Sequence, residues 1–570
     1  MLICGVKVTH DAAVAVIDGV RLLFSIELEK LDNRPRFTPM PDISEIDRIL
    51  KREGLSTKDI DLYVLDGWHS FGRDRALIPT HARNVPTELQ AAPYLDDMKG
   101  AAMLRREFSA PFRSGHRSYA SYSHAAGHLA ASYCSGPFPS EGLDSYVLVW
   151  DGGMTPRLFT VSGESLVVRL LGMPFPLIGQ IFTHFCMQFP PFVVHRSGEE
   201  VEDLLPRRGQ YSVPGKAMAY AALGTVEPDT FPAFRTLMSG MDTTSSVATS
   251  QLGSILNRRR AELFPGLTDA DLVASFQAYL GEILLKSVVA MLSPDPSGAP
   301  RNLCLAGGCA LNIKWNSRLR DSGRFNIWVP PFPNDSGAAI GTACCEMMRR
   351  YGNAKLEWDV RLGPALTPSD PAPGWVPRPC DEAGVARLLH ETGEPIVVLD
   401  GRAELGPRAL GSRSIIAPAI TGAMKDRLNE LKRRESYRPV APVCLEHRAP
   451  EFFMPGVRDP YMLFEHHVRP SVSGVIPAVV HLDGSARLQT VSAAEDSVIA
   501  RILAQYERIS GIPVLCNTSA NLPGCGFFAD VRSATEWSGT CYVWSDGQLY
   551  EKVAKATAGA VPSGRHRKKS

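Results

Sequence analysis

Six prolines fall within the seventeen residues 363-GPALTPSDPAPGWVPRP-379, and that density constrains the architecture more than any other feature. Proline has no amide N–H to give to a helix or to the interior of a sheet, so neither element runs through such a stretch. The chain of 570 residues is therefore cut in two. A first α/β domain is expected over residues 1–362, a Pro-rich linker over 363–379 and a second α/β domain over 380–553. From Ala554 the composition turns to small residues and then to GRHRKKS, which reads as a solvated, disordered basic tail over 554–570.

Upstream of the break, ICGVKV, AVAVIDG and RLLFSIELEK are β-branched and apolar segments separated by turns at His10-Asp11 and Asp18-Gly19. A helix over 43–53 and a strand at 61-DLYVLDGW-68 follow. Residues 69–118 have weak periodicity and many Arg and Pro, and read as an irregular insertion. SYSHAAGHLAASYC then reads as a small-residue helix, and SYVLVW as a buried strand. A long helix is expected over 269–293, with strands at 302-NLCLAGG and 325-FNIWVPP. This alternation is an α/β pattern, and no internal sequence repeat is visible. After the break, 395-PIVVLDGRAELGPRALGSRSII opens a new α/β pattern.

Lys and Arg total 61 against 60 Asp and Glu, a net charge of +1. No global field draws in nucleic acid. Apolar runs such as 288-VVAML-292 fall far short of the roughly 18–20 residues that span a bilayer. The opening MLICGVKVTHDAAV lacks the basic flank and apolar stretch of a secretory leader. Twelve cysteines are dispersed without a CxxC, so neither a zinc ribbon nor a disulfide scaffold is indicated. The expectation is a soluble, cytoplasmic enzyme.

Four strand-end turns carry candidate chemistry: His10-Asp11; Asp151-Gly152-Gly153; Gly307-Gly308, leading to Asn312; and Asn334-Asp335-Ser336-Gly337. Glycine there lets a backbone approach a phosphate, and a following helix N-terminus favours its charge. His124 and His128 are spaced i, i+4 and project from one helical face. With Asp151 and Asp335 they make a His₂Asp₂ set suited to Fe²⁺, Mn²⁺ or Zn²⁺ rather than Mg²⁺. Ala125 excludes the HExxH protease pattern. In the second domain, Arg402, Arg408 and Arg413 lie in GRAELGPRALGSRS, and Lys432, Arg433, Arg434 and Arg438 in LKRRESYRP. Arg433 and Arg434 fit solvated helix-face charges best. Proline beside Arg408 and Arg438 fixes the backbone and aims those guanidiniums, as phosphate or carboxylate recognition requires. The strand 514-VLCNTSAN-521 offers a polar floor.

These stretches together resemble the O-carbamoyltransferases of nodulation-factor and antibiotic biosynthesis. THDAAVAVIDG, SHAAGHLAASY, WDGG, GKAMAYAALG, LAGGCALNIKWN and PNDSGAAIG carry the likeness in the first domain. GPRALGSRS with KRRESYRPVAP and NTSAN carries it in the second, over roughly residues 1–550 in all. The family pattern N-T-S-F-N stands here as NTSAN. The resemblance implies an actin/ribonuclease H-like domain of threonylcarbamoyl-transferase type followed by a YrdC-like domain. It implies that the second domain makes carbamoyl-adenylate from carbamoyl phosphate and ATP, and that the first passes the carbamoyl group to a hydroxyl, leaving AMP. It assigns His124, His128, Asp151 and Asp335 to a metal such as Fe²⁺, and Gly152, Gly153, Gly307, Gly308 and Asn312 to the nucleotide. The His10-Asp11 turn becomes catalytic, with His10 near the acceptor hydroxyl. Arg408, Lys432, Arg438, Asn517 and Ser519 become the pocket for carbamoyl phosphate and ATP, the latter with Mg²⁺. The acceptor is expected to be a small hydroxyl-bearing natural product, such as an aminoglycoside gripped by Glu199, Glu200, Glu202 and Asp203. Membrane and nucleic acid are not expected as partners, and a homodimer is a common state for an enzyme of this size. Two rival readings keep the fold: carbamoylation of a macromolecule (tRNA or protein), or an actin-like ATP-binding regulator without catalysis.

Overall fold

The computed structural model of the chain describes residues 1–70, 75–96, 103–109, 118–193, 208–292, 298–492, 494 and 497–553. The expected basic tail and the acidic group Glu199–Asp203 lie outside them. The described residues form a mixed α/β fold around three main sheets.

The first sheet begins as a meander, Arg21–Glu27 beside Ala13–Asp18 beside Leu2–Lys7. It continues in parallel through Leu62–Asp66 and Ser118–Tyr122, and Arg106–Ser109 closes it antiparallel. The second sheet repeats the plan. Val168–Gly172, Arg157–Val161 and Ser145–Val149 form a meander, and Arg301–Ala306 and Phe325–Trp328 extend it in parallel. The sequence shows no repeat, but the hydrogen-bonded order is duplicated. Alternating β-branched and apolar residues bury both faces of the central strands, as parallel sheets require.

The two halves of this duplication exchange helices. His124–Ser135 follows the first sheet and packs on strands of the second, while Ala338–Tyr351 follows the second sheet and packs on the first. The two helices cross in contact. A Cβ on Gly341 would stand 1.9 Å from the carbonyl oxygen of Gly127, so only small residues permit this crossing. The expected helix at 121–134 begins at His124, because Ser121 and Tyr122 complete a strand. The stretch 69–118, expected to be irregular, contains the hairpin Ala76–Ala82 and Val85–Ala91. The helix Asp269–Met291 is long and apolar enough to span a membrane by length and composition. Here Leu272, Val273, Phe276, Leu280, Leu284 and Val288 bury it in the core beneath the second sheet.

The third sheet has eight strands, from the edge strand Trp375–Pro379 through Gln548–Lys552, Tyr542–Ser545, Ile396–Leu399, Arg413–Pro418, Val514–Ser519 and Ala441–Leu445 to Gln489–Val491. Residues 375–379, expected as linker, are thus an edge strand, the sheet position that tolerates proline. The third sheet is held closely to the first. Lys30, fully buried, donates to Glu27 Oε1 at 2.7 Å and to the carbonyls of Glu404 and Gly406 at 2.7 and 2.5 Å. The amide of Gly526 donates to Arg34 O, and Pro35 bridges Cys525.

Candidate active site

The turns at the strand ends of the duplicated sheets meet at one place. His124 and His128 project from the first turns of their helix, Asp151 follows the strand Ser145–Val149, and Asp335 precedes the helix Ala338–Tyr351. All four side chains are buried, and ligand atoms from each lie within 4.8 Å of one another. His124 Nε2 and His128 Nε2 stand 3.3 and 3.4 Å from Asp335 Oδ1 and 3.1 Å from each other. The four residues expected to form this set are therefore gathered.

Supporting groups fix each member. Asp66 Oδ2 lies 2.8 Å from His124 Nδ1, which fixes the ring with Nε2 toward the centre, where a bound cation would take the place of the Nε2 proton. Tyr94 donates its hydroxyl to Asp151 Oδ2 at 2.6 Å, and the amide of Gly308 donates to Oδ1 at 2.6 Å. Gly307 has φ of 88°, and a Cβ there would meet Trp150 O at 2.4 Å, so glycine is needed for the turn that presents that amide. Lys7, fully buried, sits 3.1 Å from Asp66 and 2.9 Å from Asp335. Burial opposes ionisation of Asp335, but Lys7, His124 and His10 hold its carboxyl well below the usual range. Burial also opposes protonation of His124, but Asp66 and Asp335 push its pKa up to about 10. The field at this spot favours a cation. Two imidazoles and two carboxylates fit a divalent transition metal, so the residues present match the group the resemblance implies.

Asp66, Tyr94, His69 and Lys7 were not singled out from the sequence. His69 stacks on Tyr94 with ring centroids 4.2 Å apart, and Tyr94 stacks on His124 at 4.6 Å. Burial, with His124 next in effect, lowers His69 to about 4 and keeps that ring neutral. His10 lies at the more open rim. Its Nδ1 is 3.1 Å from Asp11 Oδ2 and its Nε2 3.5 Å from Asp335 Oδ2. Trp68 and Tyr211 flank its ring at 5.2 and 4.9 Å. Gly153 faces His69, and Gly152 faces Gln180. Asn312, expected to line a nucleotide, caps the helix Ile313–Asp321 through Oδ1 and the amide of Trp315.

A second site lies in the third-sheet region. Arg408 and Arg438 come together there with Arg434 and Arg487, and Arg36 reaches them from the first-sheet region. The Nε atoms of Arg36, Arg408, Arg434 and Arg487 are buried without a hydrogen-bond partner among the described residues. Burial first, then Arg487, Arg36 and Arg438, pull the Arg408 pKa well down. Guanidinium holds its proton to about pH 12 or higher, so the cluster is an unmet demand for negative charge. Arg434, expected to be solvated, is a member of the cluster and donates to Thr518 Oγ1 at 3.2 Å; Arg433 is exposed.

The remaining expected residues are bonded within the protein itself. Lys432 Nζ is saturated by Ser519 O, Asn521 O and Asn521 Oδ1 at 2.7, 2.8 and 2.6 Å. Ser519 Oγ donates to Asn521 Oδ1. Asn517 donates to Ala409 O and Gln489 Oε1, tying down the loop that carries Arg408. Buried Glu404 accepts the amides of Leu410, Ser412 and Arg413 and shapes the same loop. Arg413 is itself structural, donating to the carbonyls of Asp400, Ser412 and Gly401, and Arg402 pairs with Glu53.

A family model described as "Carbamoyltransferase N-terminus" matches residues 2–344, and one described as "Carbamoyltransferase C-terminus" matches residues 386–543. Nodulation protein U of Rhizobium tropici is 42% identical over 584 residues, covering 98% of this chain and 98% of that protein. The 3'-hydroxymethylcephem-O-carbamoyltransferase of Streptomyces clavuligerus is 32% identical over 545 residues, covering 94% and 96%. Among solved structures, the activator of the 2-hydroxyisocaproyl-CoA dehydratase from Clostridium difficile with bound ADPNP is 14% identical, with a TM-score of 0.34 over 62% of this chain and 96% of that one. That likeness is too loose to argue from.

Proposed function

The chain belongs to the carbamoyltransferase family, and from that premise we propose that it is an ATP-dependent O-carbamoyltransferase with two separate sites. In this reading residues 1–362 are the actin/ribonuclease H-like transfer domain and 380–553 the YrdC-like activating domain. Water cleaves carbamoyl phosphate to carbamate and phosphate. A carbamate oxygen then attacks the α-phosphorus of ATP, pyrophosphate leaves, and carbamoyl-adenylate remains. Carbamate is a poor acyl donor until that oxygen carries a good leaving group, and AMP is one. The acceptor hydroxyl attacks the carbamoyl carbon, its proton is taken up by a base, and AMP departs.

The observation that supports this reading best is the pairing of opposite fields. A cluster of arginines without enough carboxylates suits a triphosphate and carbamoyl phosphate. A buried His₂Asp₂ set suits a metal. A divalent metal bound there, Fe²⁺ in the family expectation, supplies positive charge opposite the adenylate phosphate. His10 is the base in this reading. Asp11 holds the Nδ1 proton, which leaves Nε2 to accept the hydroxyl proton, and its rim position beside Trp68 and Tyr211 leaves it open to an acceptor. Trp68, Tyr94 and His69 pack around the centre and exclude water, which protects an adenylate from hydrolysis. The Streptomyces relative is named for a hydroxymethyl acceptor, and a small-molecule hydroxyl is the acceptor class proposed here.

The test needs no acceptor. Full-length protein is given ATP and carbamoyl phosphate with Fe²⁺ or Mn²⁺, and the nucleotides are separated. AMP and pyrophosphate that appear only with carbamoyl phosphate are expected. ADP formation, or indifference to carbamoyl phosphate, would sink the proposal and favour an actin-like ATPase.

A further inference from the structure

The arginine cluster contains one member that the rest of its half of the chain does not supply. Arg36 belongs to the segment after the strand Arg21–Glu27, yet its charge acts on Arg408, Lys432, Arg434 and Arg438. The third-sheet region grips the backbone at this point. The amide of Arg36 donates to Gly524 O at 2.8 Å, Pro35 bridges Cys525, and Asn33 Oδ1 accepts the amide of Ala529. The side chain is treated differently. Its Nε is buried with no partner among the described residues. Glu29 supplies one opposing charge, against four cations on the other side.

Lys30 shows what a purely structural cation looks like at this interface. Its ammonium is saturated by one carboxylate and two carbonyls. Arg36 Nε has no such acceptor among the described residues. Arg36 as a whole is half-buried, but a buried Nε without an acceptor is costly, and placing the guanidinium beside like charges adds to that cost. An anion among the five guanidiniums removes both terms.

The chain also turns sharply here. Phe37 adopts φ of 61°, a left-handed conformation uncommon for a bulky residue. That turn sends consecutive side chains to opposite sites. Arg36 faces the arginines, while the Phe37 ring lies 5.1 Å from Tyr211, which flanks His10.

We propose that Arg36 is a phosphate-binding residue of the activating pocket, supplied across the interface by the transfer domain. The pocket is then complete only when the two regions are docked. The proposal rests on the reading of the arginine cluster as the site for carbamoyl phosphate and ATP. Arg36 grips a terminal phosphate by its fork, and the anion in turn fixes the segment whose next residue walls the acceptor site.

The test uses full-length protein and inorganic pyrophosphate as the probe, titrated calorimetrically, with AMP formation measured in parallel. Loss of one charge-assisted contact should weaken pyrophosphate by about 10–100-fold in Arg36→Gln. Arg36→Lys, which keeps the charge and loses the fork, should fall between that variant and wild type. The neighbouring Arg34→Gln, whose guanidinium already pairs with Asp32 and Glu45, should bind within about 2-fold of wild type. If Arg36→Gln loses its native thermal transition, Arg36→Lys alone decides, and unchanged affinity there overturns the proposal. If wild type forms AMP but Arg36→Gln binds pyrophosphate as tightly, the pocket stands and the role of Arg36 falls. If wild type neither binds pyrophosphate nor forms AMP, both fall together.

Discussion

Tyr94→Phe isolates one support of the first site. The substitution removes a single oxygen and keeps the ring that stacks on His69 and His124 at 4.2 and 4.6 Å. Burial and the charge of Asp151 raise the phenol pKa well above its usual value, so the hydroxyl donates its proton to Asp151 Oδ2 at 2.6 Å across the working pH range. A hydrogen bond to a buried carboxylate contributes roughly 1.5–3 kcal/mol. Without it Asp151 is held on one side only, by the Gly308 amide, and gains rotational freedom. If ordering it again comes out of the metal-binding free energy, the Kd rises by about 10–100-fold, since 1.4 kcal/mol is about tenfold. Supports of this kind around metal ligands typically cost that much when removed. The assay is a calorimetric titration of metal-free full-length protein with Mn²⁺, paired with carbamoyl-phosphate-dependent AMP formation. Manganese affinity should fall and AMP formation should be nearly unchanged, because that chemistry is assigned to the other site. Equal or tighter binding of Mn²⁺ by the variant would refute the assignment of Asp151 as a ligand oriented by Tyr94.

Three further substitutions test other parts of the reasoning. Gly341→Ala drives a methyl into Gly127 O and should cost about 1–3 kcal/mol; a lowered thermal midpoint is expected, whereas Gly215→Ala, with nothing within 4 Å, should leave it in place. Arg408→Met removes one of the mutually repelling, half-buried charges and should stabilise the ligand-free protein by up to about 1 kcal/mol, while abolishing AMP formation and the stabilisation that pyrophosphate gives wild type; a destabilised variant would contradict the electrostatic reading. Glu29 is pushed to about 7 by burial, against Arg36 and with help from Asp11 and Glu27. Its folded pKa lies above the ordinary value of 4.5, so its contribution is full below about pH 4.5 and is lost as pH rises through about 7. Glu29→Gln should therefore flatten the decline in denaturant midpoint between pH 5 and 8, and parallel curves for variant and wild type would remove Glu29 as its source.

What could be read from the sequence follows from which interactions are local. His124 and His128 are one helical turn apart, so their spacing alone puts both imidazoles on one face. Asp66 is a single carboxylate at a strand end and becomes visible only when two parallel strands bring it to His124. The hairpin over 76–91 was hidden because it turns through Arg83 and Asn84, both with positive φ, without the glycine that usually marks such a turn. The duplicated sheet order leaves no trace in sequence, since any β-branched strand satisfies it. Arg434 was misjudged because a run of basic residues normally indicates solvent, and only its neighbours Arg438 and Arg487 reveal the pocket. Arg36 had a usable signal: it follows Pro35, the same proline–arginine pairing that singled out Arg408.

The net charge of +1 conceals the arrangement that matters most. One site gathers Asp66, Asp151 and Asp335 around two imidazoles and favours a cation; the other gathers five guanidiniums and favours an anion. Summed over the chain these fields cancel, so composition cannot report either. Held in one fold, they need an insulating partition, and the segment from Glu27 to Phe37 supplies it. Glu27 and Lys30 neutralise each other at 2.7 Å, and Phe37 turns its ring toward Tyr211. A neutralised Glu27–Lys30 pair adds no net charge to either site. Converting Lys30 to an uncharged residue would leave Glu27 buried without its counter-ion, and the cost would fall on the docking of the two regions before it reached the chemistry of either site. In a Lys30→Met protein, proteolysis between the family-matched segments 2–344 and 386–543 should therefore accelerate, and cleavage at the wild-type rate would show that the partition does not depend on this pair.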